Sequence, residues 1–266
     1  MEFKNEKPVV GAKLASHVAM ALADAKVANF LWGFQAVSFA GAMLGFREVE
    51  DSNCVEFHAD RFQHSEEMGW LLARNRHHTV AGAHFHQSPF IVSLIRQSSV
   101  SWWLELKPSP PSHNDPHFTL SNDPRLPPRM QECGPCGPWV KPGLHAIKIL
   151  KPNILIEAVL ILLARDWHHS DDRRDQWVYY KNALTERSAW PNGDPRFKQD
   201  ISARPGFQLA WGYLNWRKPE GWNVYLGFFQ LREQLKEARV IAVDLPKVDI
   251  AEYRGGKEFM ESGEGA

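Results

Sequence analysis

Several sets of residues in this chain have types and spacings that chemistry could use. Cys133-Gly-Pro-Cys136 has the spacing that lets two thiolates reach one zinc ion or form a redox pair. A structural zinc needs further ligands, and Cys54 is the only other cysteine, so His113, His117 or His145 would have to complete the site. The pair lies in a proline-rich stretch rather than between a strand and a helix, so a plain turn is the simpler reading. His84 and His86, with His77 and His78 close by, form a second set. If residues 83–87 are extended, His84 and His86 share a face, as two ligands of one metal would. No Asp or Glu lies between Glu67 and Glu105 to act as a third ligand or base, so surface histidines beside Arg74 and Arg76 explain this set more simply.

A third candidate is His17, within a run in which Val10, Leu14, Val18 and Leu22 recur every four positions. It could serve as a general base for a 2′-hydroxyl, although its apolar neighbours point to a packed core histidine. The fourth set is basic and aromatic. Between Arg196 and Lys218 stand Arg196, Lys198, Arg204, Arg217 and Lys218 against Asp200 alone, interleaved with Phe197, Phe207, Trp211, Tyr213 and Trp216. Cations for a backbone and flat rings for unstacked bases are what single-stranded RNA recognition requires. The alternative is one face of a sheet packed on the core with a solvated basic rim.

These sets must be positioned by elements the pattern allows. The first, residues 8–30, reads as a helix with a proline in its first turn. Residues 90–95 (FIVSLI) and 100–106 (VSWWLEL) read as a hairpin, 144–150 (LHAIKIL) as a strand, and 154–164 (ILIEAVLILLA) as a buried helix. Residues 207–216 and 222–230 read as aromatic-rich strands joined by a Pro- and Gly-bearing turn, 231–237 as a short amphipathic helix, and 240–245 as a strand. Strand, strand, helix, strand is half of a ferredoxin-like unit. Ten of the 18 prolines fall in the 35 residues 108–142, which neither a helix interior nor a central strand tolerates. The expected fold is therefore α+β, with a ferredoxin-like core and a Pro-rich insertion. The expected organisation is 1–107 as the first part of the core, 108–142 as the insertion, 143–253 as the second part of the core and 254–266 as a polar, Gly-rich tail.

At 266 residues, with 23% charged and 12% aromatic residues, the chain has the composition of a folded protein that needs no disulfides. Three cysteines make no disulfide framework, and the start MEFKNEKP has no signal-peptide character, so a cytoplasmic location is the expectation. Residues 27–46 carry no charge, but three glycines, Asn29, Gln35 and Ser38 argue against a spanning helix, and no membrane association is expected. The phosphate-cradling, dinucleotide, serine-hydrolase and zinc-protease motifs are missing, and no cofactor is expected. The 31 basic residues balance 31 acidic ones, but residues 134–254 hold 18 against 14, a local excess of four. A zero total therefore restricts where an RNA could bind without excluding one.

Short patches resemble a known family. Trp32-Gly33-Phe34 followed by Phe39-Ala40-Gly41 looks like a Trp-Gly-Phe-Pro segment leading into a core helix. Residues 90–95 are similar to a strand with Ser-Leu at its centre, and Lys218-Pro219-Glu220-Gly221-Trp222-Asn223-Val224 with Gly227-Phe228 looks like a Lys-Pro-Gly-Trp-x-Val segment. The chain thereby resembles the RAMP-type subunits of CRISPR surveillance complexes, in particular the subunit that grips the guide RNA 5′ handle in type I-F and type IV systems. The patches cover less than a fifth of the chain, Gln35 replaces the family's proline, and the first element reads as helix where the family begins with a strand. The resemblance implies a non-catalytic subunit that holds the crRNA 5′ handle and caps a filament of backbone subunits. Its partners would be guide RNA, other effector subunits and target DNA. It implies Arg204, Arg217, Lys218, Lys148 and Lys151 on phosphates and Trp32, Phe34, Trp216 or Trp222 on bases. The alternatives are a RAMP-type endoribonuclease processing precursor crRNA through His17, or a metal-dependent hydrolase using Cys133, Cys136, His84 and His86.

Overall fold

The computed structural model describes residues 11–40, 54–59, 71–73, 82–87, 90–97, 101–126, 143–167, 177–181, 184, 207 and 223–245. The chain divides into two compact units, Met1–Leu155 with Arg187–Lys198 and Ile156–Glu186 with Gln199–Ala266.

In the first unit, α1 (Gly11–Asp24) buries Leu14, Ala15, Val18 and Ala19 and exposes Lys13 and Met20. It ends where Lys26 adopts φ 55, with Lys26 N–H donating to Ala23 C=O and Val27 N–H to Leu22 C=O. These are the paired bonds of a Schellman cap, here with a cation where glycine is usual. Next, β1 (Asn29–Trp32) runs straight into α2 (Gly33–Phe39) with no connecting loop. Gly33 makes that junction at φ 73, a conformation a Cβ would strain.

β1 pairs antiparallel with β2 (Cys54–Ala59), Phe30 opposite His58. β3 (Leu71–Ala73), β4 (Gly82–Gln87) and β5 (Phe90–Arg96) form an antiparallel meander. β5 lies parallel to β2, giving a mixed sheet ordered β1-β2-β5-β4-β3. β6 (Phe118–Leu120) and β7 (Lys148–Leu150) make a separate antiparallel ribbon beside β1, with the Phe30 and Phe118 rings 5.4 Å apart. The core joins Leu14, Val18 and Leu31 to Phe39, Val92, Leu94, Ile147 and Ile149.

Two sequence expectations change here. The partners of β5 are β4 and β2, and residues 101–104 form a turn instead of the second strand of a hairpin. Gln97 closes that turn: its C=O accepts from Ser101 N–H at 2.8 Å, and its side-chain amide donates to the Ser101 and Leu104 carbonyls. Satisfied locally, that backbone has no need of a ladder, despite its β-prone Trp102 and Trp103. In the proline-rich stretch, Phe118 and Leu126 are buried, and Leu126 belongs to the core.

In the second unit lies most of α3 (Pro152–Asp166), which opens on a proline as a first helical residue can. Ile154 to Ala164 are all buried, as the apolar run predicts. α4 (Asn223–Glu237) buries Phe228, Leu231, Arg232 and Leu235 and exposes Gln230, Glu233, Gln234 and Glu237. Trp167 packs on Phe228 and Phe229, with ring centroids 4.9 and 5.8 Å away. α4 ends like α1: Arg239 sits at φ 55, with its N–H on Lys236 C=O and Val240 N–H on Leu235 C=O. Residues 223–230 are therefore helix where a strand was expected, and 240–245 are turn and bend where another was expected. The buried residues at 228, 231, 232 and 235 follow the helical period and outweigh the aromatic β-propensity of the segment.

Candidate nucleic-acid interface

Of the residues expected on phosphates, Lys148 and Lys151 lie at β7 and just beyond it. Lys148 Nζ donates to the carbonyls of Lys107 and of Ser109, the latter at 2.9 Å, and sits 5.7 Å from the centre of the Phe118 ring. Lys151 Nζ donates to the Asp115 carbonyl. Both ammoniums thus fasten residues 107–115 to the ribbon. Burial pushes both below the ordinary lysine range, partly offset by Asp115 and, for Lys151, reinforced by the neighbouring Arg125.

The same ribbon is held by carboxylates. Asp115 Oδ1 accepts from the backbone N–H groups of His117 and Phe118, at 2.9 and 2.8 Å. Asp123 accepts from Thr119 Oγ1 at 2.5 Å, from Arg125 N–H at 2.9 Å and from the Arg125 guanidinium at 2.6 to 3.1 Å. Burial would raise the Asp123 carboxyl, but its bonds from Arg125 and Thr119 outweigh that and hold it well below the usual carboxylate range.

Trp32 is 1% exposed, packed edge to face with Phe30 at 6.3 Å. This corrects the expectation that it stacks on a base, which needs an open ring face. An apolar strand end facing a core explains the residue. Phe34 lies in α2, with its side chain outside the described residues, and beside it Gln35 buries an amide that has no hydrogen-bond partner among the described residues on either oxygen or nitrogen. His17 is exposed, which corrects its expected place in the core: the buried face of α1 runs through Leu14, Ala15, Val18 and Ala19. The adjacent Ser16 Oγ accepts from His145 N–H at 2.6 Å, which ties residues 143–147 to α1.

His84 and His86 occupy alternate positions of β4, opposite Ser93 and Ile91 of β5. Arg204, Trp216, Arg217, Lys218, Trp222, Cys133 and Cys136 lie outside the described residues. Among the described residues no group of three or more His, Cys, Asp or Glu could hold a metal ion. None of the helices among them is long and apolar enough to cross a membrane, and residues 29–39 of the uncharged stretch divide into a strand and a short helix.

Sequence reasoning missed Arg232. It sits inside α4, 1% exposed, with Nε donating to Ala164 C=O at 2.8 Å. Its spacing from Phe228 and Leu235 was the available signal, since a residue four beyond one buried ring and three before another apolar residue shares their face. No protein-family model, curated protein or solved structure matches the chain.

Proposed function

We propose that the chain is a non-catalytic RNA-binding subunit of a CRISPR surveillance complex, gripping the crRNA 5′ handle and capping the backbone filament. The observation that carries this reading is the Arg196–Lys218 run, five cations against one carboxylate with five aromatic residues interleaved. The proposed contacts are Arg204, Arg217 and Lys218 on phosphates and Trp216 and Trp222 on bases. Lys148 and Lys151 hold backbone carbonyls and are secondary contributors. The reading goes with a cytoplasmic ribonucleoprotein, with guide RNA and other effector subunits as partners, and with a ferredoxin-like core. The parallel β2 and β5 neighbours are a departure from an all-antiparallel ferredoxin-like sheet that this assignment must accommodate.

The test is binding of a short labelled single-stranded RNA to the purified chain, followed across a salt series. Replacing Arg204, Arg217 and Lys218 together by alanine should weaken binding at least tenfold and flatten the log–log salt slope by about 2. Unchanged affinity and slope in that triple variant would sink the proposal. The exposure of His17 favours one second reading, a RAMP-type endoribonuclease with His17 as general base. Cleavage of a repeat RNA that disappears in His17→Ala would establish it in place of the binding-only role.

A further inference from the structure

Residues 107–110 are consecutive exposed positions in neither helix nor strand, displayed between two anchored points. On one side Gln97 donates to the Ser101 and Leu104 carbonyls, and on the other Asp115 Oδ1 accepts from the His117 and Phe118 N–H groups. Between these anchors Lys148 Nζ donates to the Lys107 carbonyl and, at 2.9 Å, to the Ser109 carbonyl. An ammonium thus sits at the backbone of Ser109, whose own hydroxyl has no hydrogen-bond partner among the described residues. Pro108 and Pro110 remove the N–H donors on both sides, and Pro110 keeps Ser109 out of the helical region. Ser112, the other exposed hydroxyl of the segment, has a different neighbour. Its carbonyl accepts from Asp115 N–H at 3.0 Å, so a carboxylate residue, rather than an ammonium, is bonded to its backbone.

We propose that Ser109 is a phosphorylation site, and that its phosphate binds the Lys148 ammonium that already holds the Ser109 carbonyl. The enzyme class is a serine kinase that accepts proline after its target, because Pro110 offers no N–H to a substrate groove. Ser109 Oγ attacks the γ-phosphorus of a nucleoside triphosphate, the bond to the diphosphate breaks and the diphosphate leaves, and the hydroxyl proton passes to the kinase's base. The product carries close to two negative charges and three acceptor oxygens. Lys148 now gives its donors to two neutral carbonyls and lies 5.7 Å from the centre of the Phe118 ring, so a dianion is a stronger acceptor than either carbonyl. Lys107, 67% exposed and paired with the exposed Glu105 at 3.3 Å, supplies a second cation two residues before Ser109. Burial pushes Lys148 below the ordinary lysine range, opposed by Asp115, and a phosphate beside it acts in the same direction as Asp115. The segment is then held to the ribbon by opposite charges where it is now held by a cation on carbonyl dipoles. The site does not depend on the RNA reading above.

The experiment treats the full chain with ATP and a proline-directed serine kinase and locates the phosphate by peptide mass spectrometry. Phosphate should enter Ser109 and leave Ser112 unmodified, and Ser109→Ala should take up none between residues 107 and 115. Phosphorus NMR then titrates the phosphate in the modified chain, with a peptide of residues 105–113 carrying the same phosphoserine as reference. Its second pKa, about 6 in the peptide, should fall by about 0.5 in the chain. That fall should vanish in Lys148→Gln and shrink in about 1 M sodium chloride. A kinase that modifies the peptide but leaves Ser109 of the folded chain untouched would overturn the proposal. So would equal pKa values in chain and peptide, or the full fall retained in Lys148→Gln. The peptide and salt comparisons need no variant, so they decide the question even if Lys148→Gln fails to fold.

Discussion

In the β6–β7 ribbon the cations reach across the chain to backbone carbonyls, Lys148 to residues 107 and 109 and Lys151 to residue 115. In the second unit Arg165 closes on the carboxylate next to it in sequence, and Arg232 gives Nε–H to a helix end and sets Nη1 3.6 Å from Glu233 Oε1, with no hydrogen-bond acceptor for Nη1 or Nη2 among the described residues. In the ribbon, charge is consumed in tying down a proline-rich segment that has little regular secondary structure to hold it. In the second unit, buried Arg232 and Lys236 also hold main-chain oxygens, those of Ala164 and Leu245, but from within a helix that supplies its own backbone bonds. A cation whose donors hold main-chain oxygens is structural first, in either unit.

Substitutions can break or sharpen that contrast. The largest effect is expected at Asp166, 2% exposed and bonded on both oxygens. Asp166→Ala removes the carboxylate that accepts from the Arg165 guanidinium and Trp177 Nε1 and should cost about 3 kcal/mol, read from the urea midpoint. Asp123→Ala in the ribbon should cost about 2 kcal/mol, since the Asp123 side chain is less deeply buried than that of Asp166, 11% against 3% exposed. A larger loss at Asp123 than at Asp166 would reverse the contrast.

Asp123 also carries a pH signature. Its carboxyl titrates lower in the folded chain than its ordinary value of 3.8, so its contribution is complete above that value and is lost as pH falls below it. Wild type should therefore lose stability below about pH 4 more steeply than Asp123→Ala does, in denaturation curves taken at successive pH. The smallest effect is expected where the two units agree. Lys26 and Arg239 both hold left-handed backbone at a helix end. Replacing either by glycine removes the Cβ clash and should raise stability by about 0.5 kcal/mol, the favourable charge at the helix end being lost in exchange. Equal gains at both sites would show that the caps behave alike despite their different surroundings.

What was legible in the sequence follows from how local each signal is. The apolar run 154–164 declares a buried helix because no other element of that length buries every side chain, and FIVSLI declares a strand by β-branching alone. CVEFHA and GAHFHQ also alternate, apolar Val55, Phe57, Ala83 and Phe85 against Glu56, His58, His84 and His86, but each is one short strand between polar connections. Their meaning depends on β5, to which both pair. At residues 222–237 a strand-to-helix boundary at 230 cut one helix in two and hid the period that carries Arg232 inward. For the site, residue types could mark cations and rings as candidates, but whether Lys148 meets solvent or a carbonyl 41 positions away is a property of packing that spacing does not encode.

The parallel pairing of β2 with β5 sets an order of events as the chain is made. β1 and β2 are synthesised first, yet the second partner of β2 follows only after β3 and β4. A parallel neighbour cannot be brought in by a tight turn, so β2 keeps an open edge until Phe90–Arg96 has been added. The meander β3-β4-β5 can close on itself by local pairing and then dock as a block, making that docking the slow step. Nascent chains halted before residue 90 would carry an unpaired β2 edge, so the interval between making β2 and making β5 is when this protein is most exposed to self-association.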